Sequence, residues 1–206
     1  MNDNRQIEPV HNNYEKYLAY KTQIARYKKA VSNEFYFEAI LIDYAMMEDR
    51  LISIFYHIGV IDNRNVSVKV TKRTGKYLEL ILDKRPPKSL STIGSKIELL
   101  QAILKWVESD TPIEPDQKYL ILLRNHCRQQ VDIPDFLNKL DEINNWRKYR
   151  NEIIHSLLNK NSSAVNEKLE EKAIEGKDLA RFIDDQSAKI RKGNVLRRCL
   201  KLKVEK

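Results

Sequence analysis

The run at residues 34–58, EFYFEAILIDYAMMEDRLISIFYHI, constrains the fold of this chain more than any other stretch. At about 100° per residue its apolar side chains cover nearly every side of a helix. A helix that is apolar all round has no face for water, so other helices must surround it. The run is therefore expected to be the central helix of a bundle, from about Asn33 to Ile58, with Ser32 as its N-cap. Acids interrupt it at Glu38, Asp43, Glu48 and Asp49. A buried carboxylate needs a cation or a hydrogen-bond donor beside it, so these positions ask for partners elsewhere in the chain.

The remaining sequence is also helical in character. With 5 Gly and 6 Pro in 206 residues, the turn chemistry for a many-stranded fold is missing. A first amphipathic helix is expected over Tyr14–Ala30, a third over Ser91–Ser109, a fourth over Asp116–Gln130 and a fifth over Pro134–Asn159. The turn Asn161-Ser162-Ser163 then leads to a sixth helix over residues 164–192. The second and fifth are expected to form the central antiparallel pair. The fold class is thus an all-α, single-domain bundle of about six helices over residues 13–192, after a loose N-terminus at 1–12.

Charge is uneven along the chain. The formal net charge is +8, which favours an anionic partner, nucleic acid before a membrane surface. Residues 67–88 carry seven Lys or Arg against two acids, and residues 189–206 carry eight against one. The segment 61–88 is expected as a basic insertion, a loop or small excursion, because VSVKV is one short strand without an evident mate. The tail 193–206 is expected as a frayed end or a phosphate-tracking arm. Two cysteines, Cys127 and Cys199, make no disulfide framework. His126 beside Cys127 has no second pair at ligand spacing, so neither a metal site nor a cofactor is expected. No apolar run long enough for a signal peptide or membrane span is present, and a cytoplasmic protein is expected.

The fifth helix carries the chemistry. In WRKYRNEIIHSLL, residues 146–158, an apolar arc runs through Leu140, Ile143, Trp146, Ile153, Ile154 and Leu157. Arg150 falls near the middle of that arc, and His155 lies at its edge, one turn beyond Asn151. A guanidinium keeps its proton, so among apolar neighbours it needs an anion, from a facing carboxylate or from a phosphate. Glu48, whose wheel neighbours Phe37, Leu41, Ile52 and Phe55 are apolar, is the first choice for that carboxylate and Asp43 the second.

Arg150-Asn151-Glu152-Ile153-Ile154-His155 resembles the signature of the HEPN superfamily (higher eukaryotes and prokaryotes nucleotide-binding domain): an Arg followed at once by a polar residue, with a His four to six residues beyond the Arg. With 14 Arg, 16 Asn and 4 His in the chain, chance gives roughly 0.02 occurrences of Arg-Asn-three-His. The resemblance extends over residues 32–60 and 134–192. It implies a HEPN-like helical bundle and a metal-independent endoribonuclease in microbial defence or toxin-like growth control. It also implies a homodimer with a composite site and a regulatory partner or antitoxin. Where some toxins of the superfamily place a modifiable Tyr two residues after the His, this chain has Leu157.

The residue types suit that chemistry. His155 can take or give a proton near neutral pH, Arg150 offers a planar fork to the scissile phosphate, and Asn151 can support either. Glu48 would hold Arg150. Arg147, Lys72, Arg73, Arg124 and Arg128 are the candidates for tracking the RNA backbone. Two other readings stay open: a catalytically silent HEPN module that binds RNA or a nucleotide, and a helical adaptor that docks an acidic protein.

Overall fold

The computed structural model describes residues 13–62, 69–156 and 167–204. Within them lie α1 (Asn13–Ser32), α2 (Tyr36–His57), α3 (Lys72–Leu82), α4 (Ile93–Glu108), α5 (Lys118–Gln130) and α6 (Ile133–Ser156). After these come α7 (Leu169–Arg191), a 3-10 turn (Lys192–Asn194) and the short α8 (Val195–Cys199). The fold is an all-α bundle. Among the described residues β pairing is limited to two isolated bridges, Ile61 with Val70 and Lys69 with Ser89. No described helix is long and apolar enough to cross a membrane. The 1–12 segment, the start of VSVKV, Leu157 and the Asn161–Ser163 turn all lie outside the described residues.

The all-round apolar run is indeed the central helix. Ala39, Ile40, Met47, Leu51, Ile54 and Phe55 of α2 are fully buried, and burying each large apolar side chain contributes about 1.5–3 kcal/mol. Its start differs from expectation. Ser32 ends α1, its hydroxyl donating back to the Lys29 carbonyl at 3.0 Å. The chain then reverses through Glu34, which adopts a left-handed backbone (φ 62°). The polar turn that resembles a cap is thus the hinge of an antiparallel α1–α2 hairpin. Arg26 bonds Glu38 at 2.9 Å near its closed end, and Tyr20 donates to Asp49 at 2.7 Å further along.

The principal partner of α2 is α7, not α6, and the two run parallel. Asp43 lies against Gly176, and seven residues on Arg50 meets Asp184 at 2.9 Å. Small residues explain the choice. Ala173, Gly176 and Ala180 form a buried stripe on α7 at helical spacing, which lets the α2 backbone approach closely. The helix α6 crosses the same stripe from another side: the Trp146 indole lies over Gly176 and donates to the Lys172 carbonyl at 2.8 Å. It also runs antiparallel to α4, with Arg147 packed on Gly94 and Gln101 bonded to Asp141 at 2.7 Å.

Two basic segments are more ordered than their composition suggests. Part of the 61–88 insertion forms α3, which Thr71 caps by accepting the Thr74 amide hydrogen at 3.2 Å. The tail beyond residue 192 folds back rather than extending as an arm. Arg197 is fully buried and donates to the carbonyls of Lys203, Tyr56 and Ile61 at 2.8, 2.7 and 3.0 Å. Its guanidinium also stacks 3.6 Å from the Tyr56 ring centre. This cation locks the C-terminal segment onto the end of α2.

Candidate functional site

The motif occupies the last two turns of α6. Three apolar anchors position it: Ile143, Trp146 and Ile153 are buried against the bundle, which fixes the rotation of the helix about its axis. At that rotation Arg150 is half-buried and His155 is exposed. The Arg150 guanidinium stacks 4.2 Å from the centre of the Tyr44 ring on α2, a cation–π contact. Its Nη1 donates to Asn151 Oδ1 at 3.0 Å. This bond ties Arg150 to the side of the helix that Asn151 shares with His155, four residues and about 40° apart. The five-residue offset between Arg150 and His155 is thereby narrowed by one side-chain hydrogen bond.

Neither expected acid holds Arg150. Glu48 Oε1 instead accepts from Lys96 Nζ on α4 at 2.7 Å, where Lys96 is almost wholly buried. Asp43 faces α7, with Oδ2 buried and without a hydrogen-bond partner. Among the described residues no carboxylate reaches the Arg150 guanidinium, and its buried Nε also lacks a hydrogen bond. Lys96 is the residue that sequence reasoning missed. Its signal was of the same kind as that of Arg150: a cation inside the apolar arc Ile93, Ile97, Leu100.

Arg147 belongs to the same cluster. Its Nε and Nη2 donate to Asn144 Oδ1 at 3.1 and 2.9 Å, a neutral acceptor that leaves the charge uncompensated. Burial pushes the Tyr44 hydroxyl pKa up and the nearby Glu48 carboxylate adds to this, while Arg150 and Arg147 pull it down. One phenol thus senses Glu48, Arg150 and Arg147. With Glu48 neutralised by Lys96, the two arginines make the net field positive.

The other RNA-contact candidates lie elsewhere. Arg128 donates to the carbonyls of Val107, Glu108 and Ser109 at 2.8, 2.8 and 3.0 Å, closing the C-terminal end of α4. Arg124 donates to the Thr111 carbonyl at 2.7 Å and stacks 4.4 Å from the Trp106 ring centre. Arg147 meets α4 at Gly94, so the length of that helix, about 20 Å at 1.5 Å per residue, separates it from these two. Arg73 on α3 donates to the carbonyls of Leu200 and Lys201 at 3.0 and 2.8 Å, and Lys72 precedes it. Those two residues belong with the C-terminal segment and line a cleft with Lys201 and Lys203. The structure gathers Arg147, Arg150 and Asn151 on one helix near Tyr44 and the Glu48–Lys96 pair, and places the remaining basic residues on other faces.

Among the described residues no three His, Cys, Asp or Glu side chains lie where they could hold a metal ion. His126 shares a hydrogen bond with the Ile190 carbonyl at 2.9 Å, and Cys127 is buried in the core, which pushes its thiol up to about 12. Comparison with family models, curated proteins and solved structures finds no match to this chain.

Proposed function

We propose that the protein is a HEPN-type, metal-independent endoribonuclease whose working groups are Arg150, Asn151 and His155. The observation that carries this reading is the state of Arg150. It is a permanent cation, half-buried on a tyrosine face and bonded to a neutral amide oxygen, with no carboxylate among the described residues to balance it. Such a group is complementary to an arriving anion. A phosphodiester supplies that anion, and the planar fork suits two of its oxygens.

RNA brings its own nucleophile. His155 removes the proton from a 2′-hydroxyl as the 2′-oxygen attacks phosphorus. The bond from phosphorus to the 5′-oxygen breaks, and an imidazolium returns a proton to that oxygen. The products are a 2′,3′-cyclic phosphate and a 5′-hydroxyl. Arg150 stabilises the charge that grows on the phosphoryl oxygens, and Asn151 holds Arg150 towards the His155 side. One imidazole cannot take and give a proton in the same step. A homodimer that brings two α6 C-terminal turns to one cleft supplies the second, with Arg147 guiding the strand. A role in microbial defence or growth control, with an antitoxin-like regulator, follows from the resemblance to the superfamily.

The test is cleavage of a single-stranded RNA by wild type, Arg150→Ala and His155→Ala, with binding measured alongside. Loss of cleavage by at least 100-fold in both variants, with His155→Ala still binding RNA, supports the enzyme. Binding without cleavage by wild type indicates a silent module, and absence of both indicates an adaptor.

A further inference from the structure

A second site lies away from Arg150, in the cleft between α1, α2 and α7. It has two adjoining chambers that share Tyr20, Ile24 and Asp184 as a common wall. The inner chamber, about 280 Å³, is walled by Ile24, Tyr27, Met46 and Ala180, with the carboxyl of Asp43 in its lining. The outer chamber, about 550 Å³, is rimmed by Lys16, Tyr17, Lys21, Arg50 and Arg191. Both are near the range of ligand cavities, about 300–1,000 Å³.

The walls are fixed before any ligand arrives. Tyr20 is held by its bond to Asp49 and by Arg50 stacked 3.9 Å from its ring centre. Arg50 is in turn held by Asp184, and the Tyr27 hydroxyl donates to the Ala173 carbonyl at 3.0 Å. Against this rigid frame one polar group stands out. Asp43 is only 2% exposed, and its Oδ2 has no hydrogen-bond partner. A buried carboxyl without a partner is costly, and a ligand with a donor edge would relieve it. Burial also pushes this carboxyl up to about 8, so it is mostly protonated at neutral pH and offers an O–H and a C=O side by side.

The two chambers differ in chemistry. The inner one offers ring faces and aliphatic walls with a single hydrogen-bonding group. A sugar there would leave its hydroxyls unsatisfied, and an aliphatic chain would leave Asp43 unsatisfied. A flat heterocycle with an N–H beside an acceptor satisfies both. The outer chamber offers cations. Lys16 is engaged by Asp49 and Arg50 by Asp184, but Lys21 and Arg191 meet no carboxylate among the described residues, which leaves them to an anion. We infer that this cleft binds a phosphorylated heterocycle, its ring in the inner chamber against Asp43 and its phosphate on Lys21 and Arg191. The source is a free nucleotide or the 5′ end of a strand.

Calorimetric titration of the full chain tests this, with the four nucleoside monophosphates, the matching nucleosides and 5′-phosphorylated tetranucleotides as probes. At least one monophosphate or tetranucleotide binds at one per chain. The combined Lys21→Ala, Arg191→Ala variant, altered only at the surface, weakens that probe at least tenfold. The same variant leaves the matching nucleoside within twofold, and Asp43→Leu weakens nucleoside and phosphorylated probe alike. Binding of the monophosphate identifies a free nucleotide; binding confined to the tetranucleotides identifies a strand end. Arg150→Ala leaves either unchanged, which separates this site from the nuclease reading. The inference is overturned if no probe binds, if the Lys21 and Arg191 variant binds as wild type does, or if Arg150→Ala abolishes binding.

Discussion

Lys96 on α4 holds Glu48 on α2, Nζ to Oε1 at 2.7 Å, and so removes from Arg150 the carboxylate that its place in an apolar arc calls for. A helix-register ion pair and a nucleic-acid site are both open to an arginine in such a position. The Glu48–Lys96 pair favours the site, because it occupies the nearest acid and leaves two arginines with neutral acceptors. Glu48 therefore acts on the site indirectly, by holding Lys96 and by setting the field at Tyr44.

Replacing Lys96 by Met removes the cation and keeps the volume. Glu48, which is partly exposed, then becomes available to Arg150 across the Tyr44 ring. The expected cost is about 1–3 kcal/mol of stability, discounted for that exposure, together with weaker RNA binding. Urea unfolding of Lys96→Met beside Lys96→Met with Glu48→Gln checks it: the second variant regains RNA affinity because no carboxylate remains to compete.

At Gly176 a Cβ would lie 2.5 Å from Trp146 Cζ2 and 2.9 Å from Cε2. Gly176→Ala therefore pushes the indole and the α6 helix that carries it. Ordinarily Ala stabilises a helix relative to Gly by about 1 kcal/mol. Here overpacking reverses the sign, with an expected net loss of about 1–3 kcal/mol. A thermal melt that shows Gly176→Ala above wild type would contradict the α6–α7 packing described here.

Arg197 satisfies backbone carbonyls from two distant parts of the chain and sits fully buried. Arg197→Met keeps much of the volume and leaves those carbonyls without donors, at an expected cost of about 3 kcal/mol or more. Deletion of the segment from residue 193 onward should be comparably damaging. Limited proteolysis of the variant, with cleavage appearing near residues 56–62, reads out the loosened end of α2.

Asp43 makes stability depend on pH in a defined direction. Its folded-state value of about 8 lies above that of an unfolded Asp, about 3.9. The folded state therefore holds a proton that the unfolded state has released. Stability from this group is full below pH ~4, falls between pH ~4 and ~8, and is flat above. Asp43→Asn removes the titration, so it should gain stability over wild type as pH rises from 5 to 8. Chemical denaturation at those two pH values measures the difference, and an equal offset at both would contradict it.

Much of this architecture is legible in the residues. The all-round apolar α2 announces its central place, and the motif helix α6 is marked by the Ile143, Trp146, Ile153 stripe. Three features are not legible, each for a physical reason. The small-residue stripe Ala173, Gly176, Ala180 reads as weak helix, yet it permits the close α2–α7 contact that displaces the expected α2–α6 pair. Charge conceals α3 and α8, whose many Lys and Arg resemble solvated loop even though Arg197 is core. Lys96 is hidden because its value depends on a facing helix, and facing helices are set by tertiary packing. At the site, Arg150, Asn151 and His155 can be found from spacing alone, while the true partner of Glu48 cannot.

The most direct test of the central claim is RNA cleavage in excess EDTA by wild type and His155→Ala, with the product ends mapped. The account predicts cleavage by wild type alone, leaving 2′,3′-cyclic phosphate and 5′-hydroxyl ends. Equal cleavage by His155→Ala, or 5′-phosphate ends from wild type, would contradict it.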